Sequence, residues 1–286
     1  MTAPIIRSLA ELRAMTRGWQ MAGEKIGVVP TMGALHDGHL SLVAAAKQRA
    51  DRVIVTIFVN PKQFNNPDDL KNYPRTEEED ARKLERFGVD AIWAPEGDIM
   101  YPPGFSTNVS VAGLTDVLCG AYRPGHFDGV TTVVPRLFQA VKPHLAVFGE
   151  KDYQQLVLIR RMVEDLCMGV AVVGAETVRE PDGLALSSRN VHLDEDQRRQ
   201  ATALSRTLYA AVENAVYGAG PALDAARAVL RESDGVDLDY LEITTPDLDP
   251  LPEDPAPGTE ARILIAARVG TTRLIDNLPL TIGRID

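Results

Sequence analysis

Two histidines three residues apart, His36 and His39, stand in the run Pro30-Thr31-Met32-Gly33-Ala34-Leu35-His36-Asp37-Gly38-His39, directly after an apolar stretch. In a helix, positions i and i+3 share a face. A helix that starts here carries both imidazoles at its N-terminus. Free N–H groups and the positive end of the dipole make that end a phosphate site. Gly33 and Gly38 would let a ligand come close to the backbone. The imidazoles could then donate hydrogen bonds to the α- and β-phosphates of a nucleotide, where charge grows as pyrophosphate departs. Two unrelated surface histidines, or a metal pair, are the competing readings. Zinc would need a third ligand, and only Asp37 is at hand.

Three further polar signatures follow strand-like segments. Phe58-Val59-Asn60-Pro61-Lys62-Gln63-Phe64 offers neutral amides, which suit a hydroxylated carboxylate substrate, or it is simply a loop with a turn-forming proline. In Gly149-Glu150-Lys151-Asp152-Tyr153-Gln154-Gln155, the glycine permits close approach to a ribose or phosphate. Lys151 brings a point charge and Asp152 an acceptor for ribose hydroxyls. Gln155 can face the same crevice as Gln63. A charged helix start capped by aspartate is the plainer reading. Leu186-Ser187-Ser188-Arg189-Asn190 carries hydroxyls and a guanidinium, good donors to phosphate oxygens, in what is otherwise a polar linker. The acidic run Glu77-Glu78-Glu79-Asp80 reads as a solvated first turn that complements the helix dipole, with magnesium binding by Glu79 or Asp80 as the alternative.

The elements that would carry these groups alternate. Helices are expected over residues 5–21, 36–50, 76–87, 126–141 and 151–166, with a capping box between Thr76 and Glu79 and a stop at Gly88. Strands are expected over 25–29, 53–59, 89–94, 145–148 and 170–173. Alternation of this kind means a parallel sheet with helical crossovers. Pro135 falls inside the helix 126–141, so a kink or a later helix start is expected. After Arg189 the texture changes to helices over 194–217 and 222–232 and strands over 237–243, 262–269 and 273–280. A Pro- and Asp-rich loop covers 246–258. The boundary is placed near 178–188, giving domains 1–180 and 181–286.

Composition narrows the class. The chain has 286 residues, 45% hydrophobic and 24% charged, as in an ordinary globular protein. With 30 basic against 40 acidic residues its net charge is −10, which disfavours nucleic acid and anionic membrane as main partners. Cys119 and Cys167 are the only cysteines, so neither a disulfide framework nor a thiolate zinc cluster is signalled. No apolar run reaches the length of a membrane span, and residues 1–15 lack a signal-peptide core. A cytoplasmic enzyme is expected.

Taken in order, these motifs resemble the pantoate–β-alanine ligase (pantothenate synthetase) family. The matching stretches are VVPTMGALHDGHLSLV, IFVNPKQF, YPRT, RPGHFDGV, FGEKDYQQLVLIR, DGLALSSRN and RLIDN. The H-x-G-H tetrad alone marks the wider nucleotidyltransferase superfamily; NPKQF and GEKDYQQ narrow it. The resemblance implies a Rossmann-like parallel-sheet N-terminal domain, a smaller α+β C-terminal lid, and a homodimer. It implies condensation of D-pantoate with β-alanine, using ATP and Mg²⁺, through a pantoyl adenylate. Met32, Gly33, Ala34, Leu35, His36, Asp37, Gly38 and His39 would contact ATP, with His39 where a proton donor is usually assigned. Gly149, Glu150, Lys151 and Asp152 would hold ribose and phosphates, and Val178 would meet adenine through its backbone. Leu186, Ser187, Ser188 and Arg189 would clamp phosphates. Gln63, Gln155 and Asn60 would bind pantoate. Catalysis would fall to His36, His39, Lys151 and Arg189. Another adenylate-forming ligase, an RNA-binding synthetase-like module and a non-catalytic nucleotide sensor are the rival classes.

Overall fold

A computed structural model describes residues 3–284. The chain divides into two compact units, one up to Gly149 with Gln154–Glu176, the other Glu150–Tyr153 with the residues from Thr177 on.

The first unit is built on a six-stranded parallel sheet. Its strands are β1 (Ile5–Ile6), β2 (Ile26–Thr31), β3 (Arg52–Ile57), β4 (Ala91–Trp93), β5 (Leu145–Gly149) and β6 (Ala171–Ala175). Helices between them are α1 (Leu9–Met21), α2 (Asp37–Lys47), α3 (Pro67–Asn72), α4 (Glu77–Glu85), α5 (Gly97–Met100), α6 (Cys119–Tyr122), α7 (His126–Val141) and α8 (Tyr153–Asp165). Val53, Ile54 and Val55 are wholly buried, as expected of a strand covered on both faces. The order is β1-β4-β3-β2-β5-β6. From β2 the chain builds outward through β3 and β4, then returns to the other side of β2 for β5. The order therefore reverses between β2 and β5, the point where open α/β sheets bind ligands.

Several expectations change. Residues 5–21 are not one helix: Ile5–Ile6 pairs with β4, and the Ser8 hydroxyl caps α1 by accepting from the Glu11 N–H. Strand β2 runs through Pro30 to Thr31, because β5 pairs only with Gly27 and Val28, and the missing proline N–H breaks no bond there. The capping box at Thr76 does not form; its hydroxyl donates to the carboxylate of Asp80 instead. Helix α7 begins at His126 and continues through Pro135, so a later start is excluded.

The second unit packs α9 (Glu195–Asn214) and α10 (Ala219–Arg231) on an antiparallel sheet of β7 (Val236–Thr244), β8 (Thr259–Val269) and β9 (Thr272–Ile282). Ala201, Leu204, Leu208 and Ala211 form the buried face of α9 at helical spacing, against Ile263, Ile265 and Leu274. Asp194 and Gln197 make a reciprocal capping box at its start. The parallel α/β sheet and the smaller α+β unit expected from the sequence are both present.

Candidate active site

The loop after β2 is held from outside. Gly33 and Ala34 both adopt left-handed backbone, φ 80° and 50°. The Asp80 carboxylate, wholly buried on α4, accepts from the Ala34 N–H at 2.9 Å and the Leu35 N–H at 2.8 Å. The Thr76 hydroxyl donates to the same group at 3.1 Å. Lys83, one turn on, donates to the Leu35 carbonyl. Asp80 is therefore an anchor of this loop rather than part of a solvated turn. Both its oxygens are engaged, and Glu79 is exposed and paired with Lys83 at 2.7 Å.

The loop delivers the chain into α2 with His36 as N-cap. The Gly38 N–H donates to His36 Nδ1 at 3.1 Å, and the His36 N–H donates to His39 Nδ1 at 3.3 Å. An Nδ1 that accepts from a backbone N–H places the proton of the neutral ring on Nε2. Each imidazole is thus set up as an Nε2–H donor by the helix start itself. The ring centroids are 4.1 Å apart, so the sequence spacing does bring the pair together.

The turn after β3 is fixed just as tightly. Asn60 is 1% exposed. Its amide donates to Gln63 Oε1 at 2.9 Å and to the Gly129 carbonyl at 3.0 Å. Its Oδ1 accepts from the Tyr101 hydroxyl at 2.7 Å and the Lys62 N–H at 3.3 Å. Burial pushes the Tyr101 phenol up to about 12, against the opposing charge of Arg136, so it stays a neutral donor at ordinary pH. His126 at the start of α7 meets the Gln63 carbonyl through Nδ1 at 2.8 Å. A carbonyl can only accept, so this ring carries its proton on Nδ1. Gly129 lets α7 lie against the turn: a Cβ there would fall 2.4 Å from the Lys62 carbonyl oxygen.

Gln63 follows β3 and Gln155 lies in the first turn of α8 after β5, so the sheet order sets them on either side of β2. Both are half-buried. The neighbouring Gln154 is buried and used structurally: its amide group holds the Leu114 and Val117 carbonyls and the Cys119 N–H. At Gly149 a Cβ would meet nothing closer than 3.8 Å, so packing does not require glycine there.

In the second unit, the Val178 carbonyl accepts from the Leu186 N–H at 2.9 Å, and Arg179 pairs antiparallel with Ala185. This hairpin brings Val178 and Leu186 side by side. The Ser187 hydroxyl then caps a short 3₁₀ turn, Ser188–His192, by accepting from the Arg189 N–H at 3.2 Å. Glu150 turns its carboxylate to Arg262 at 3.1 Å. Tyr101, His126, Gly129, Arg262 and Asn277 had no signal in spacing or composition, and Asp80 stood out only as part of an acidic run, read as solvated or as a magnesium ligand. Only the RPGHFDGV and RLIDN stretches marked three of them, as parts of the family pattern.

Among the described residues, no three His, Cys, Asp or Glu side chains converge to hold a metal ion. No helix there is long and apolar enough to cross a membrane.

The sequence profile of the pantoate-beta-alanine ligase family matches residues 4–279. The pantothenate synthetase of Nocardioides sp. is 57% identical over 99% of this chain and 87% of its own length. The crystal structure of pantothenate synthetase from Thermus thermophilus superposes with a TM-score of 0.89 at 48% identity, covering 96% of this chain and 98% of that one. A pantoate-beta-alanine ligase from Francisella tularensis, complexed with beta-gamma ATP and beta-alanine, matches at a TM-score of 0.79 and 34% identity, covering 96% and 97%.

Proposed function

The chain belongs to the pantoate–β-alanine ligase family, and from that premise we propose how its residues divide the reaction. It is a ligase that joins pantoate to β-alanine with ATP. A carboxylate is a poor electrophile, so the acid must first gain a leaving group. A pantoate carboxylate oxygen attacks the α-phosphorus; the bond to the β-phosphate bridging oxygen breaks and pyrophosphate leaves. The β-alanine amine then attacks the acyl carbon of pantoyl adenylate. The carbon–oxygen bond to phosphate breaks, AMP leaves, and the amine proton passes to solvent. No side chain becomes covalently attached.

The work of the protein is alignment and neutralisation of charge. His36 and His39 donate through Nε2–H to the α- and β-phosphates at the N-terminus of α2. The Met32, Gly33, Ala34 and Leu35 loop, with Asp37 and Gly38, surrounds the triphosphate. Gly149, Lys151 and Asp152 hold phosphate and ribose; Glu150, expected to join them, turns its carboxylate to Arg262 and fixes the segment instead. Val178 meets adenine, and Leu186, Ser187, Ser188 and Arg189 close on phosphates. Gln63 and Gln155 bind pantoate; Asn60, expected beside them as a pantoate ligand, is buried with both ends of its amide engaged, and its role is instead to fix the Gln63 amide. Magnesium enters with the triphosphate as part of the substrate. The local carboxylates do not form a cage for it: Asp80 is spent on the loop, and Glu79 is paired with Lys83. We take the working form to be a homodimer, as the family resemblance implies, in the cytoplasm, as the composition suggests.

The observation that carries this reading is the histidine pair at the reversal of strand order, with both Nδ1 atoms occupied by backbone donors. Its test is ATP–pyrophosphate exchange with pantoate as the only acid. His39→Ala should slow exchange by ~10²–10³, about the cost of one charge-stabilising donor. Attack of β-alanine on pre-formed pantoyl adenylate should suffer less, because pyrophosphate has already left. Parental exchange with failure confined to the second step would reverse the assignment.

A further inference from the structure

The run Arg273-Leu274-Ile275-Asp276-Asn277 belongs to the family pattern yet has no part in the chemistry above. It lies on β9, and its last two side chains are buried, Asp276 3% and Asn277 2% exposed. Buried polar groups need partners, and here the partners are the two polar segments of this unit. The Asn277 amide donates one hydrogen to the Glu150 carbonyl and the other to the Lys151 carbonyl, each at 2.9 Å. Its Oδ1 accepts from Nε of Arg262 on β8 at 2.7 Å. Arg262 in turn pairs with the Glu150 carboxylate at 3.1 Å, and its guanidinium lies 3.9 Å from the Tyr153 ring centroid. Asp276 takes Arg179 in a two-point ion pair at 2.6 and 3.0 Å. Burial lowers the basicity of that guanidinium, but the Asp276 bonds and charge outweigh it and leave it raised. Arg179 also donates to the Gly183 carbonyl at 3.0 Å, inside the hairpin that carries Val178 and Leu186. The Asn277 N–H donates to Asp276 Oδ1 at 2.8 Å and joins the two halves.

The geometry around Lys151 is specific. The carbonyls of residues 150 and 151 belong to the peptide planes immediately before and after the Lys151 Cα. Holding both planes sets φ and ψ of Lys151, and so the direction of its side chain. Only a primary amide can give two hydrogens to two such carbonyls while accepting from a guanidinium behind it. We propose that Asn277, oriented by Arg262, is a positioning residue for Lys151 in nucleotide binding, and that Asp276 extends the same support to the Val178–Leu186 hairpin. This rests on the reading that Lys151 contacts the phosphates.

The test is pantoate-dependent ATP–pyrophosphate exchange by the full chain carrying Asn277→Asp, Lys151→Ala or both. Asn277→Asp keeps the size and the acceptor for Arg262 but turns the donor edge into an oxygen facing two carbonyls. The KM for ATP should rise about tenfold, the factor for one lost charge-assisted contact, with the KM for pantoate unchanged. The double variant should be scarcely worse than Lys151→Ala, because the two act through one side chain. A purely structural Asn277 would lower the melting temperature with no selective change in the KM for ATP, and its cost would multiply with that of Lys151→Ala; that result overturns the proposal. If Asn277→Asp does not fold, Arg262→Met removes the group that orients the amide and is judged by the same criteria. Lys151→Ala with a parental KM for ATP and parental exchange would instead sink the reading of Lys151 on which the proposal stands.

Discussion

Asp80 carries the conformation of the histidine loop without touching the chemistry. A non-glycine residue in left-handed backbone costs on the order of 1–2 kcal/mol, and Ala34 is such a residue, beside Gly33. The two backbone N–H bonds to a buried carboxylate offset that cost and satisfy one buried and one part-buried donor. Asp80→Ala should therefore destabilise the chain by about 2–3 kcal/mol, the cost of those two donors left without an acceptor, and raise the KM for ATP as the loop relaxes. Thermal unfolding and exchange kinetics measure both, and an unchanged melting temperature with parental kinetics would refute the account. The histidines were legible in the sequence because residue type, spacing and the adjacent glycines all point to phosphate. Asp80 was not, because an acidic run at a helix start looks solvated whichever loop lies over it. Asn60 illustrates the same limit. Its position after a strand was readable, but not that four hydrogen-bonding partners surround its side chain.

Helix α7 and the turn after β3 form a second device, which depends on a glycine in a helix interior. On intrinsic propensity alone Gly129→Ala should stabilise a helix by up to about 1 kcal/mol. Sterics reverse the sign here, since the new Cβ would stand 2.4 Å from the Lys62 oxygen and 2.6 Å from the Gln63 nitrogen. Backbone atoms cannot swing aside as a flexible side chain can, so the helix and the turn must separate. The expected outcome is a loss of about 1–3 kcal/mol and a raised KM for pantoate, with the KM for ATP little changed. Equal or better stability from chemical denaturation, with a parental KM for pantoate, would contradict this. The bounds of the helix, His126–Val141, were legible, but Pro135 raised the expectation of a kink or a later start, and the later start does not occur. What pattern could not give was the partner of the Gly129 face. Short elements were equally opaque: two residues, Ile5–Ile6, make a strand only because β4 offers an edge to pair with. In the second unit, the strands showed their apolar runs, but the assignment of Glu150–Tyr153 to that unit follows from single side chains on β8 and β9, which no periodicity encodes.

The charge of the chain bears on its assembly. Each copy carries a formal net charge of −10, so two copies that associate bring like charges together. Long-range repulsion of this kind opposes pairing and is screened by salt, with a Debye length of about 30 Å at 0.01 M and about 8 Å at 0.15 M ionic strength. The cohesion of the proposed homodimer must then come from apolar burial in a two-fold interface, in which the same patch serves both partners. Val117, 42% exposed, is a large apolar side chain of the first unit that such a patch would cover. Two consequences can be measured together by sedimentation at micromolar concentration. The dominant species should have twice the 31.1 kDa mass of one chain, and the dimer fraction should rise as salt is raised from about 0.01 to about 0.15 M, because screening relieves repulsion while leaving apolar contact intact. A dimer that weakens with salt would mean that ion pairs between copies hold it. A single 31.1 kDa species at both ionic strengths would remove the homodimer altogether.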